Sequence, residues 1–278
     1  MLILKRLSDL RRVLDARSGR IGFVPTMGAL HEGHLSLVRR SVEENPFTVV
    51  SIFVNPTQFN DKCDFDLYPS TPARDAEGLL AAGADILYMP EVSEMYPKGT
   101  STGEQYPIGY LDTVLDGAFR PGHFNGVSLI VHRLLMHVKP THLYMGEKDF
   151  QQCLVVKQLI GQQQLPVELI ICPTLREAGG LAMSSRNERL SAEARETASS
   201  IYRNLQVVKE GLNRGEEFSA LQQQALQALQ EAGLEPEYLQ LADALTLELL
   251  PAADPKRPMV LLIAARLEGV RLIDNLRV

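Results

Sequence analysis

Residues 47–54, FTVVSIFV, form a nearly unbroken run of β-branched and aromatic side chains. Such a run has no polar face, so it suits a strand covered on both sides, as in the middle of a parallel sheet. RIGFV (20–24) before it and DILYMP (85–90) after it read as further strands. Between them, HLSLVRRSVEEN (34–45) places Leu35, Val38 and Val42 at helical spacing. PARDAEGLLAAGA (72–84) reads as a second helix, ending at Gly83. This βαβαβ order predicts a doubly wound α/β sheet with right-handed crossovers. The alternation continues with a helix over 126–138, a strand at 141–146, a helix over 150–162 and a strand at 167–172. Residues 1–20 read as a short strand followed by an amphipathic helix.

Beyond Pro173 the texture changes. Residues 173–190, PTLREAGGLAMSSRNERL, read as a long loop of polar and small residues. A helix is expected over 191–213, with Ser191 as N-cap and Glu193 and Glu196 in or near its first turn. A second helix over 217–233 stops at Gly233, and 258–278 reads as a hairpin turning near Glu268-Gly269. The expected organisation is a large domain over 1–175 and a smaller, helix-rich α+β domain over 176–278.

Composition narrows the function. The net charge is −6, which argues against a protein that coats nucleic acid, although a local basic patch can still hold phosphate. No apolar run approaches the roughly 20 residues of a membrane helix. The N-terminus has neither the long apolar region nor the cleavage site of a signal peptide. Cys63, Cys153 and Cys172 are odd in number and widely spaced, so they read as packed or surface thiols in a reducing cytoplasm.

In an open α/β sheet, ligands bind at the carboxyl ends of the strands. VPTMGALHEGHLSL (24–37) leaves the first such end. A helix start presents unpaired N–H groups there, and Gly28 and Gly33 let backbone approach a ligand. His31 and His34 lie one turn apart, so both can face the same phosphates. Zinc would need histidines four apart, whereas these are three apart. FVNPTQF (53–59) offers the uncharged amides of Asn55 and Gln58, suited to a small substrate with hydroxyls and a carboxylate. RPGHFNGV (120–127) puts Arg120 and His123 before a helix. GEKDFQQ (146–152) offers Lys148 for phosphate, Asp149 for ribose or a cap, and either Gln151 or Gln152 for substrate. AMSSRN (182–187) brings Ser184, Ser185 and Arg186 into a loop that could close over a triphosphate. Each segment alone also reads as an ordinary turn, capped helix or linker. With no Ser-His-Asp or Cys-His set in view, the chain reads as one that stabilises charge on phosphates and places two substrates.

Taken in order, PTMGALHEGH, SIFVNPTQF, RPGHFNGV, GEKDFQQ, LAMSSRN and the terminal RLIDN (271–275) resemble the pantoate–β-alanine ligases, a family of the H-x-G-H nucleotidylyltransferases. The resemblance covers essentially the whole chain. It implies a Rossmann-like N-terminal domain with a small C-terminal lid, and a homodimer. It implies that pantoate is activated by ATP and Mg²⁺ as an adenylate and then captured by β-alanine, with no role for nucleic acid or membrane. By resemblance His31, His34, Lys148, Ser184, Ser185 and Arg186 match ATP and transition-state contacts. Met27, Gly146, Asp149 and Met183 complete the nucleotide set, with Met27 giving backbone near the α-phosphate and Asp149 meeting ribose. Gln58 and Gln152 match the pantoate amides, with Asn55 and His123 lining the same region, and AMSSRN takes the place of the KMSKS loop of class I aminoacyl-tRNA synthetases. The chain departs from the family pattern at Ser70, where Arg is common, and at Gly179 and Thr141, where Asp is common. Ser70 is expected to alter pyrophosphate or dimer-edge contacts, and Gly179 to loosen the loop that closes over ATP. The alternatives are another H-x-G-H nucleotidylyltransferase acting on a different small acid, and a nucleotide-binding regulatory protein without turnover.

Overall fold

The computed structural model describes residues 1–58, 65–100 and 103–278. Phe59 and Cys63 lie outside the described residues. The chain divides into two compact units, one of residues 1–147 and 151–173, the other of 148–150 and 174–278. Where the sequence reading cuts the chain once, at 175/176, the structure thus assigns the short segment Lys148–Phe150 to the second unit.

The first unit is built on six parallel strands: β1 (Leu2–Leu4), β2 (Ile21–Thr26), β3 (Phe47–Ile52), β4 (Ile86–Tyr88), β5 (His142–Gly146) and β6 (Glu168–Cys172). Their order is β1-β4-β3-β2-β5-β6. From β2 the sheet winds outward both ways, as a Rossmann sheet does from its first strand, and β1 is added at one edge. The FTVVSIFV run is central, and adjacent residues along the strands are buried on opposite faces. Val24, Val50, Leu87 and Tyr144 pack with Leu37 and Val38 of helix α2 (Glu32–Glu44) and with Leu79 of helix α3 (Pro72–Ala81). Their neighbours Phe23, Val49, Ile86 and Leu143 are equally buried and by strand alternation face the other way. Both faces are therefore covered, as a continuous apolar run requires. Helix α1 (Leu7–Asp15) precedes β2, helix α4 (His123–Val138) precedes β5, and helix α5 (Phe150–Gln162) leads to β6. No helix among the described residues is long and apolar enough to cross a membrane.

The second unit holds an antiparallel sheet in the order β7 (Glu235–Asp243), β8 (Met259–Leu267), β9 (Val270–Arg277). The hairpin turns at Glu268-Gly269, both with positive φ, which is the backbone of a two-residue turn between antiparallel strands. Strand β7 escapes the sequence reading because Pro236 interrupts its pattern. The structure accommodates Pro236 at a register shift on an edge strand, where a missing N–H is tolerated. The single helix expected over 191–213 is two helices, α6 (Ala192–Ala198) and α7 (Ser200–Asn213). At the joint, Ser199 Oγ donates back to the Arg195 carbonyl at 3.1 Å, a competing bond that bends helices. Helix α8 (Phe218–Glu231) completes the layer, with Leu205, Val208, Leu221 and Leu229 packed against Leu239, Leu261 and Ile263 of the sheet.

Candidate active site

The strand order reverses between β2 and β5, so the crevice of a doubly wound sheet opens beyond Thr26 and Gly146. The turn after β2 carries the paired histidines. His31 is the N-cap of α2, and its Nδ1 accepts the Gly33 amide at 3.1 Å. His34 Nδ1 accepts the His31 amide at 3.4 Å. This is a capping box made of two imidazoles in place of the usual hydroxyl and carboxylate. The ring centroids lie 4.0 Å apart with planes inclined by 36°. Because each Nδ1 is an acceptor, each neutral ring carries its proton on Nε2. At this helix start the His31 and Gly33 amides are thus accepted by imidazole nitrogens, where the sequence reading expects unpaired backbone amides. Gly28 has φ +84, and a Cβ there would stand 3.0 Å from Ile52 Cγ2 and 3.2 Å from Asp75 Oδ2. Packing, beyond any ligand approach, requires glycine at this position.

The Asn55 side chain is committed within the protein. It is 1% exposed, its Nδ2 donates to the Gly126 carbonyl at 3.2 Å, and its Oδ1 accepts from the Thr57 amide, the Thr57 hydroxyl and Tyr96. Its place is to hold the turn Pro56–Gln58 against α4, where Gly126 lies so close that a Cβ would stand 2.3 Å from the Thr57 carbonyl oxygen. His123 supports the same turn: its Nδ1 lies 2.8 Å from the Gln58 carbonyl, and its Nε2 lies 3.0 Å from Arg120 Nη1. Nδ1 donates and Nε2 accepts, so the neutral ring satisfies both contacts. Asn55 and His123 thus both make buried contacts that brace the Pro56–Gln58 turn. Gln58 itself is half-buried. Gln151 and Gln152 differ in the same respect. Gln151 is buried, donates to the Leu111 and Val114 carbonyls at 2.6 and 2.9 Å, and accepts the Asp116 amide. Gln152 is half-buried and has no such commitment among the described residues.

In the second unit, Lys148 Nζ stands 3.6 Å from Asp149 Oδ1, and the Lys148 carbonyl accepts from Asn275 Nδ2 at 2.9 Å. The guanidinium of Arg277 lies over the Phe150 ring, 5.2 Å from its centroid. These contacts with β9 explain why residues 148–150 belong to this unit. The segment read as a long loop is a small hairpin. Glu177 N–H donates to the Leu181 carbonyl at 2.8 Å and Met183 N–H to the Leu175 carbonyl at 3.0 Å. Ser184 Oγ then caps the turn Ser185–Arg189 by accepting the Arg186 amide at 3.3 Å. Buried Asn187 donates to the Ala182 carbonyl and to Glu177. Arg176 anchors the base, paired with Asp274 and stacked 3.7 Å over the Tyr202 ring. The hairpin that carries Gly179 is thus tied at its base by Arg176. The other departures are also placed. Ser70 is exposed. Thr141 Oγ1 accepts the Ile21 amide and donates to the Ile21 carbonyl, where it clasps the amino-terminal ends of β2 and β5, away from the crevice.

Sequence reasoning missed Asp75. It lies in the first turn of α3 and accepts the backbone amides of Ala29 and Leu30. Nothing local marks it, because its partners stand 46 and 45 residues away.

A Rossmann-type sheet with two cooperating imidazoles at the end of its first core strand defines an α/β protein of the H-x-G-H nucleotidylyltransferase class. Comparison narrows that class. The family model described as Pantoate-beta-alanine ligase matches residues 2–277. A pantothenate synthetase of Pseudomonas paraeruginosa is 47% identical over 282 residues, which is 100% of this chain and 99% of the relative. A crystal structure of pantothenate synthetase from Thermus thermophilus is similar with a TM-score of 0.92 at 43% identity, covering 99% of each chain. A pantoate-beta-alanine ligase from Francisella tularensis, solved with beta-gamma ATP and beta-alanine, has a TM-score of 0.85 at 34% identity, covering 100% of this chain and 97% of that one. The chain belongs to the pantoate–β-alanine ligase family.

Proposed function

We infer that this chain condenses pantoate with β-alanine in two steps driven by ATP. The observation that carries the reading is the pair of imidazoles at the sheet's switch point, each with its Nδ1 accepting a backbone amide, in a chain of this family over its whole length. In the first step a pantoate carboxylate oxygen attacks the α-phosphorus. The bond from that phosphorus to the bridging oxygen breaks, and pyrophosphate leaves with the electron pair. In the second step the neutral amine of β-alanine attacks the acyl carbon, loses a proton, and displaces AMP to leave the amide.

The chain has no residue that must attack. Its part is to hold charge and place reactants. We assign His31, His34 and Lys148 to the phosphates, as donors to negative charge that grows on the α-phosphoryl and the leaving pyrophosphate. Ser184, Ser185 and Arg186 add hydroxyl, amide and guanidinium donors from the second unit, which we assign as the lid. The Met27 amide is assigned to the α-phosphate, Asp149 to ribose, and Gly146 and Met183 to nucleotide backbone contacts. Gln58 and Gln152 read pantoate: an amide can meet both a hydroxyl and a carboxylate, where a lysine would favour a phosphorylated acid. Asn55 and His123 hold Gln58 in place. Mg²⁺ enters with ATP, because this ion is commonly held by substrate phosphates and water. Among the described residues no group of three or more His, Cys, Asp or Glu gathers to hold a metal, so no side chain is assigned to it. A homodimer in the cytoplasm completes the reading.

Pyrophosphate release with ATP and Mg²⁺, omitting pantoate and then β-alanine, tests it. The expected result is about one equivalent per site with pantoate alone, because one adenylate stays bound, and steady turnover with AMP once β-alanine is added. Release with another carboxylate but none with pantoate would replace the substrate. Nucleotide binding with no release at all would leave a regulatory protein.

A further inference from the structure

The turn that carries the histidines is held by a carboxylate outside it. Asp75 is 2% exposed. Its Oδ2 accepts the Ala29 amide at 2.9 Å, and its Oδ1 accepts the Leu30 amide at 2.8 Å and the Thr71 hydroxyl at 2.9 Å. Two successive N–H groups converging on one anion is how a backbone turn binds phosphate. Here the anion belongs to the protein, so these two amides are taken before any substrate arrives. The remaining amides of the turn are also committed. Gly28 N–H goes to Thr26 Oγ1 at 3.2 Å, and His31 N–H to the ring of His34. Within 27–31, only the Met27 amide has no acceptor among the described residues.

The turn does not keep this shape by itself. Ala29 has φ +49, a left-handed conformation that a residue with a Cβ keeps only where its surroundings impose it. Charge-assisted bonds that a buried carboxylate accepts from the two peptide N–H groups flanking the Ala29 Cα supply that constraint. The imidazole of His31 starts from the next residue.

We propose that Asp75 is a positioning residue for the adenylation step. It fixes the backbone of 28–30, and through it the aim of the Met27 amide and of the two Nε2–H donors. It also closes the amides of Ala29 and Leu30 to phosphate, so a triphosphate is directed to the imidazoles. The inference rests on the assignment of His31 and His34 to ATP.

Asp75→Asn tests it. The variant keeps the shape, but one of its two terminal atoms becomes a donor and faces another donor. Two half-reactions are measured: pantoate-dependent exchange of pyrophosphate into ATP, and pantothenate formation from supplied pantoyl adenylate and β-alanine. Exchange should fall about 10²-fold, the effect of a small misplacement at the reacting centre. The second half-reaction should hold within about twofold, since a donor used only in adenylation leaves later steps alone. Equal losses in both would make Asp75 merely structural, and unchanged exchange would remove its role; either overturns the proposal. If Asp75→Asn does not fold, Thr71→Val withdraws one bond from the same carboxylate and should lower exchange alone, by about two- to tenfold. His34→Ala in the same assays separates the premises. If it leaves exchange intact, the assignment of the histidines to ATP fails; if it lowers exchange while Asp75→Asn does not, only the role of Asp75 falls.

Discussion

Both terminal nitrogens of Arg176 reach the Asp274 carboxylate, at 2.6 and 2.9 Å, and the Asp274 side chain is 3% exposed. Burial pushes the Asp274 carboxyl up, and the guanidinium opposes that shift. Removing one member of a buried pair leaves the other uncompensated, at a cost of about 3–5 kcal/mol. Asp274→Ala should fall at the lower end, because the Arg176 side chain keeps 17% exposure. Urea unfolding measures it, and a loss below about 0.5 kcal/mol, the size of an exposed pair, would mean that the hairpin does not depend on this anchor.

His31→Ala and His34→Ala should each slow adenylation by about 10²–10³, the effect of losing one preorganised donor to developing charge. Each variant also loses a capping acceptor, worth about 1 kcal/mol of stability. Pyrophosphate exchange at saturating pantoate reports the first effect and thermal unfolding the second. Full exchange in either variant removes that histidine from the phosphate site.

Gln58→Ala should raise the KM for pantoate far more than that for ATP. His123→Ala should act in the same direction and more weakly, since its contact with Gln58 is to the backbone carbonyl and not to the side chain. Initial-rate series in each substrate decide it. Equal increases for both substrates would contradict the assignment of Gln58 to pantoate.

Placing at 179 the aspartate that the resemblance leads one to expect should harm this chain. A Cβ at Gly179 would stand 2.7 Å from Ser199 Oγ and 3.9 Å from Glu196 Oε2. Gly179→Asp should lower stability by about 1–3 kcal/mol, the usual effect of overpacking, and leave the KM for ATP unchanged. Adding Ser199→Gly should recover part of the loss. A Gly179→Asp protein that binds ATP more tightly would bring back the reading of Gly179 as a loosened loop.

Two histidines predict an acid limit to stability. Burial lowers the pKa of His137 from its ordinary 6.5, with Glu94 opposing and Arg133 assisting. Burial lowers His132 as well, with Glu104 opposing and Arg133 assisting. Each ring meets a tyrosine hydroxyl, His137 that of Tyr88 at 3.0 Å and His132 that of Tyr106 at 2.9 Å. As pH falls below 6.5 the unfolded chain takes up protons that the folded chain refuses, so stability declines toward the lowered folded values. Above pH 6.5 the two groups contribute no slope. Thermal unfolding at pH 5.5, 6.5 and 7.5 should show the decline on the acid side, and a His132→Gln/His137→Gln variant should flatten it. A variant with the same acid slope would place its origin elsewhere.

The sheet core was legible because central strands leave a pattern that cannot be mistaken for a surface. Val49 and Val50 are both fully buried, and only a covered strand needs apolar neighbours on both faces. Strand β7 was hidden by Pro236, and the break at Ser199 by a hydroxyl bond that periodicity does not register. At the site, the strand-end address pointed to His31, His34, Lys148, Gln58 and Gln152 as candidates. It could not tell such residues from side chains already bonded within the fold. Asn55 resembles a ligand-reading amide until its partner across 71 residues is known, and Gln151 until its partner across 40 is known. Residue type and spacing carry chemistry, whereas prior commitment of a side chain is a property of the folded contacts.

Lys148–Phe150 is grouped with the second unit although the residues on both sides of it belong to the first. The chain therefore passes between the units at three points, after residues 147, 150 and 173. A chimaera of two relatives joined once, after Pro173, would inherit its lysine segment from one parent and the Asn275 and Arg277 that meet it from the other. Recombination that respects these contacts must move 148–150 together with 174–278, so the lysine and the last strand are one heritable block interrupted in sequence by helix α5 and strand β6.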